Sequence, residues 1–224
     1  MKDAKYVLII FLAGIFIGPN LFAQSDPAGF FEGSIQFEVQ MKGPKADELK
    51  ENKPNNQLLM HLKEGNYIVQ LSGGEYPKTF IFIADSNYEY SIDMANQRAF
   101  RFSSYSDLNK PEPEEAPVAK ATGNQAEVNG TICDEYKLRK GNALFTYYVC
   151  DKYRINTTLY PHNTRAKASF LAAGLDGRIP LKTVMQEPGL TVVTTVTKVT
   201  PKPFDSEQFR IPAGFEVKKR DYRY

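Results

Sequence analysis

The sequence predicts a mainly β (α+β) fold: a curved antiparallel sheet or half-open β-barrel of about ten strands, with one short helix as cover. Three observations carry this expectation. Apolar and polar residues alternate with period two along most of the chain, short turns bearing Gly, Asn or Asp separate the runs, and a single segment shows clear helical spacing. With so little helix to cover it, a large antiparallel sheet must curl to bury one face, which favours a half-barrel over a two-sheet sandwich.

The first 23 residues stand apart. Lys2 and Lys5 precede an apolar run from Val7 to Ile17, then Gly18-Pro19-Asn20 and the small residue Ala23. This is the pattern of a secretory signal peptide cut after Ala23. The competing reading, an uncleaved anchor, requires an apolar run of about 20 residues, and this one is shorter. Residues 24–224 are then expected to form one domain with no transmembrane anchor, periplasmic or secreted.

Each strand follows from its alternation. Ile35, Phe37, Val39 and Met41 share one side of a run whose other side carries Gln36, Glu38 and Gln40. Residues 42–56, with Pro44 and Pro54, read as a loop or one short helix. Leu58, Met60 and Leu62 then alternate along a strand that Glu64-Gly65-Asn66 joins to a partner at Tyr67–Leu71. Strands at Thr79–Ala84, Tyr88–Asp93 and Arg98–Ser103 follow, connected so briefly that an antiparallel meander is expected.

Residues 104–126 hold Pro111, Pro113, Pro117, Glu112, Glu114 and Glu115 and break the pattern. They read as a flexible insertion loop, with a binding lid as the alternative. Pro161, a cap at Asn163 or Thr164, apolar Ala166, Phe170 and Ala173, and a closing Gly174 make 161–174 the best helix candidate. Strands Ile179–Gln186 and Leu190–Val199 are rich in Val and Thr and joined by Glu187-Pro188-Gly189. A helical turn at 204–209 and a docking segment at 211–215 end the domain.

Cys133 and Cys150 are the only cysteines and lie equally far from Gly141-Asn142. If those two residues close a hairpin, Lys140 meets Ala143, and counting outward opposes Cys133 to Cys150 on a non-hydrogen-bonded pair, with Cα atoms about 4.5 Å apart. A disulfide is therefore expected. Tyr136, Leu138, Phe145, Tyr147 and Val149 read as the apolar face of this hairpin. The cysteines fall on the other side with Glu135, Lys137, Thr146 and Tyr148, so the bond is expected to staple the outer face.

Chemistry is sparse. The two histidines, His61 and His162, have no metal-ligand neighbours at useful spacing; His61 reads as solvated beside Lys63, and His162 as part of a turn. No nucleophile elbow, zincin motif or C-x-x-C occurs, so no catalytic residue, metal or cofactor is expected. The formal charge of +2 argues for no nucleic acid partner, despite the basic tail Lys218-Lys219-Arg220 with its tyrosines. What remains is apolar sheet surface: Leu58, Met60, Leu62, Tyr88, Tyr90 and Ile92 are the candidate lining of a concave binding face.

Certain strings carry a resemblance. Val128-Asn129-Gly130-Thr131-Ile132-Cys133 with Tyr136, Tyr147-Tyr148-Val149, Ile179-Pro180-Leu181-Lys182, Val193 to Val199, Phe209 to Phe215 and the opening Phe31-Glu32-Gly33-Ser34-Ile35 resemble an uncharacterised family of exported Bacteroidetes proteins. That family is similar in turn to the LolA/LolB lipoprotein-carrier superfamily. The resemblance implies an incomplete antiparallel barrel over an apolar cavity and a non-enzymatic binder of a lipid or other apolar ligand. No site residue carries over from the carriers. An envelope protein-interaction or stress-sensing module, working through sheet edges and the 104–126 loop, is the other function the sequence allows.

Overall fold

The computed structural model describes residues 29–103, 117–160, 174–202 and 205–219. The predicted signal peptide, the predicted helix before Gly174, His162 and the first half of the predicted insertion loop lie outside them. The described residues form one sheet of twelve strands in the order β12-β6-β5-β4-β3-β2-β1-β11-β10-β9-β8-β7. In chain order these are β1 (Gly33–Lys42), β2 (Gln57–Lys63), β3 (Asn66–Ser72), β4 (Lys78–Ile83), β5 (Tyr88–Asp93), β6 (Arg98–Ser103) and β7 (Lys120–Val128). β8 (Thr131–Lys140), β9 (Ala143–Arg154), β10 (Arg178–Glu187), β11 (Leu190–Thr200) and β12 (Glu216–Lys219) complete it. The sheet is antiparallel except that β12 runs parallel to β6.

Two strands exceed the expectation. Residues 120–128 are a strand rather than part of a loop, because β7 is an edge: its residues up to Gln125 are exposed, so no alternation marks them. Asn129 and Gly130, both at positive φ, turn it directly into β8, where Val128 pairs with Thr131. The four-residue β12 is too short to show a period.

The sheet curls because bulges relax its register in the middle. β1 shifts against β11 between Gln36 and Phe37, and β10 shifts twice against β9 around Pro180. The curl brings distant strands together. Phe82 on β4, Ile179 on β10, Val128 on β7 and Ile35 on β1 belong to one buried cluster in the concave interior. β12 and β7 do not pair with each other, so the barrel stays half open.

Two smaller clusters lie outside it, the first of them on the convex side of β3–β6. Ile68, Ile81, Tyr90, Ile92 and Ala99 pack beneath Phe209, Ile211 and Phe215 of the C-terminal segment. Tyr147, Val149, Tyr136, Leu138 and Phe145 pack beneath Ala119 and Leu175. Gly174 makes that second cover possible: at φ +89°, a Cβ there would sit 2.3 Å from the Ala119 carbonyl oxygen.

The helix α1 (Pro44–Glu51) realises the short-helix option for residues 42–56, started by Pro44 in its first turn. Ala46 is its only buried residue, and the Lys45 N–H donates to the Gly189 carbonyl at 3.0 Å. It ties the β1 end to the β10–β11 turn and contributes little core.

The cysteine hairpin has the expected register, with Lys140 opposite Ala143 and Asp134 opposite Val149. Its faces are reversed. Cys133 is fully buried and Cys150 nearly so, and both lie in the concave core with Phe31, Ile35 and Met60. Alternation correctly separates the cysteines from Tyr147 and Val149, but both sides of the hairpin are buried, so apolar content does not tell interior from exterior.

Candidate functional site

The concave face is not filled. Between β1–β5 on one wall and β10–β11 on the other lies a cleft of ≈ 330 Å³, within the range of about 300–1,000 Å³ typical of small-molecule sites. Phe37, Leu58, Met60, Val69, Leu71 and Phe80 form the first wall; Ile179, Pro180, Thr183 and Thr194 form the second. The register builds the first wall directly. Phe37 faces Leu58, Leu58 faces Leu71, Met60 faces Val69 and Val69 faces Phe80, so one side of four consecutive strands is apolar. Leu58, Val69, Leu71 and Phe80 are only half-buried.

An aromatic layer floors this cleft. Tyr67 stacks on Phe82 with centroids 5.0 Å apart, and Tyr160 lies 6.0 Å from Phe82 and 6.3 Å from Tyr67. Burial, with Glu32 nearby, raises the Tyr160 phenol well above its ordinary pKa, so it stays protonated. Beyond the layer is a second cavity of ≈ 440 Å³, lined by residues that include Glu32, Lys63, Glu64, Asn156 and Tyr160. Phe30, Phe31, Leu62, Ile155 and Leu159 also line it, so its lining mixes polar and apolar groups more than that of the first cleft.

One carboxyl group lines the apolar cleft. Glu89 is 3% exposed, and its Oε2 accepts the Tyr67 hydroxyl at 2.6 Å. It stands opposite Phe82 on one side and Phe102 on the other, in the middle of an aromatic row.

The six residues expected to line a concavity divide by face. Leu58 and Met60 line the cleft, and Leu62, 1% exposed, is packed into the core below it. Tyr88, Tyr90 and Ile92 are on the convex side under the C-terminal segment, because the turn after β4 pairs Ile83 with Tyr88 and so sends Glu89, not its neighbours, inward. Glu89, Tyr67, Val69, Leu71 and Phe80 are additions that sequence reasoning missed. Counting the register across that turn is the signal that finds them.

The other reactive groups do not build a catalytic centre with the cleft. His61 is buried rather than solvated; it faces Ser34 across β1 and β2, and the Ser34 hydroxyl and His61 Nδ1 are 2.6 Å apart. Burial lowers its pKa. The Cys133 thiol is pushed up to about 11 by burial and by Cys150 beside it, opposite to the shift a nucleophilic thiol needs. Among the described residues no group of three or more His, Cys, Asp or Glu could hold a metal ion. No helix among them is long and apolar enough to cross a membrane.

Comparison with known proteins follows this geometry. No curated protein matches the chain. An uncharacterized conserved protein from Thermus thermophilus is similar in structure, with a TM-score of 0.50 at 12% identity over 84% of this chain and 91% of that one. The lipoprotein LppX of Mycobacterium tuberculosis aligns with a TM-score of 0.37 at 7% identity, covering 78% of this chain and 89% of that one. LprF from Mycobacterium bovis aligns at 0.34 and 11% identity, covering 84% and 92%. At these identities the first likeness is one of fold alone, and the two mycobacterial scores are too low to argue from. The sequence itself is more specific: it matches the family described as Domain of unknown function (DUF4412) over residues 31–215, and the chain belongs to that family.

Proposed function

We propose that this is an exported, non-enzymatic protein whose half-barrel receives a lipid or other apolar molecule in its concave cleft. The observation that carries this reading is the unfilled cleft itself, where the aliphatic and aromatic side chains of β1–β4 stand half-buried or buried around open space. Apolar area left in such a concavity gains roughly 25 cal/mol per Å² when a guest removes it from water. The unclosed barrel agrees with the architecture that the LolA/LolB resemblance implies, and the signal-peptide pattern of residues 1–23 supports export.

Native mass spectrometry of the full protein recovered from its host's envelope tests this. The expected spectrum contains a species heavier than the polypeptide whose extra mass organic extraction removes. A clean polypeptide mass, together with no binding of the neutral fluorophore N-phenyl-1-naphthylamine, would overturn it.

Export also bears on the cysteines. In an oxidising compartment the opposed thiols of β8 and β9 are proposed to pass their hydrogens to a disulfide oxidant and join. The intact mass of exported protein is then two hydrogens below that of the reduced form. Reduction costs about 3 kcal/mol of stability for a loop of this length. Two free thiols in exported protein would contradict the pairing.

A further inference from the structure

Burial deepens in one direction along both walls of the cleft. On the first wall Leu58, Leu71 and Phe80 are half-buried, whereas Tyr67 and Phe82, further along β3 and β4, are 1% exposed. On the second wall the register carries the same direction across β1 and β11 to β10, where half-buried Thr183 gives way to fully buried Ile179. The rings of Tyr67, Phe82 and Tyr160 close the deep end, and Glu89, opposite Phe82 and hydrogen-bonded to the Tyr67 hydroxyl, is part of the same layer. Behind the rings lies the cavity of ≈ 440 Å³: Tyr67 lines the first space and Tyr160 the second.

We infer that the ring layer is a stop that measures the guest: the cleft takes one alkyl chain of a single-chain amphiphile, tail first, and grips only its last ten to twelve or so carbons. This rests on the apolar-cleft reading above. Along β3 the distance from Leu71 to Tyr67 is about 13 Å at the rise of an antiparallel strand. An extended chain of single bonds advances about 1.2 Å per bond, so about ten to twelve carbons span that depth. The volume of ≈ 330 Å³ agrees: a methylene is about the size of a water, whose share of the liquid is about 30 Å³, so one such chain fills the cleft and a second finds no room. Thr183 and Thr194 put hydroxyls at the shallow end, where the head group emerges. A longer chain leaves its surplus methylenes in water, where they add no affinity.

Competition on the full-length mature protein tests the inference. N-phenyl-1-naphthylamine is bound first, then displaced by octyl, decyl, dodecyl or tetradecyl maltoside, each below its micelle threshold. The bulky uncharged disaccharide stays outside, so only the tail enters. Two added methylenes that reach an apolar site gain about tenfold in affinity or more, and the native protein is expected to show that step from octyl to decyl. From dodecyl to tetradecyl the gain is expected to be less than about twofold. Phe82→Ala removes the ring that neighbours both others, joins the two cavities and brings the last step back to about tenfold. Phe209→Ala, on the convex side, keeps the native break in the series.

A native protein whose affinity keeps rising through tetradecyl maltoside overturns the stop and leaves the cleft reading standing. A folded Phe82→Ala variant with the native break also overturns it. Absence of probe binding, or a probe that no maltoside displaces, overturns both. If Phe82→Ala does not fold, the native series still decides, and Tyr160→Ala supplies the second opening of the layer.

Discussion

Together, strands β3 to β5 put apolar side chains on both sides of the sheet, yet the two sides have different fates. On the convex side, Ile68, Ile81, Tyr90 and Ile92 are covered by the chain's own C-terminal segment through Phe209, Ile211 and Phe215. On the concave side, Val69, Leu71 and Phe80 are left half-buried against an unfilled cleft. The same strands therefore make core alone on one face, while on the other the core at Tyr67 and Phe82 gives way to a receptacle at Val69, Leu71 and Phe80. Apolar content does not distinguish a binding face from a core face; what distinguishes them is whether the chain supplies a cover. A face it covers is a matter of stability, and a face it leaves open is available to a guest.

The largest effect is expected where the cover is removed. Phe209→Ala takes away the buried ring that caps the convex cluster, and such truncations cost about 3–5 kcal/mol. Chemical denaturation should show that loss while N-phenyl-1-naphthylamine affinity in the folded protein is unchanged. A variant that lost binding without losing stability would mean the faces had been assigned backwards.

Leu71→Glu is the converse. It places a charge on the cleft wall at a half-buried position opposite Leu58 and Lys78, where solvent still reaches. Probe affinity should fall by about tenfold or more, while stability changes by about 1 kcal/mol or less, as at other sites outside the packed core. An equal loss in both measurements would mark Leu71 as core and shrink the receptacle.

How much of this is legible in the sequence follows from particular residues. Alternation places Leu58, Met60 and Leu62 on one side of β2 correctly, because that strand has one strongly apolar side. It fails to relate β2 to β5, because the relation must pass through β4, where Phe80, Ile81, Phe82 and Ile83 are apolar on both sides and the period vanishes. Tyr88, Tyr90 and Ile92 accordingly read as interior. The pairing of Ile83 with Tyr88 puts them on the convex side and Glu89 inward. The same ambiguity puts the cysteines outside, since β8–β9 is buried on both sides. β7 escapes because an exposed edge strand needs no alternation, although Asn129-Gly130 is a strong hairpin signal.

The smallest effect expected is a pH dependence on the convex side. Burial holds the His61 pKa below the ordinary 6.5, so between the two values the unfolded chain binds more protons than the folded one. Stability from this site is complete above about 6.5 and is lost as pH falls through that value toward the folded pKa. His61→Gln should flatten this part of the stability profile without altering probe binding. A profile that loses stability there equally in the variant would assign the dependence to other groups.

The chain contains no tryptophan, so a single introduced indole reports on its own face. Phe80→Trp places one on the cleft wall, and Tyr88→Trp places one on the covered convex side. Titration of each with a brominated decyl amphiphile, whose bromine quenches on contact, measures which face receives the guest. Saturable quenching of the Phe80→Trp indole, with the Tyr88→Trp indole unaffected, is the predicted result. Equal quenching of both, or none in the Phe80→Trp protein, would contradict a receptacle on the concave face.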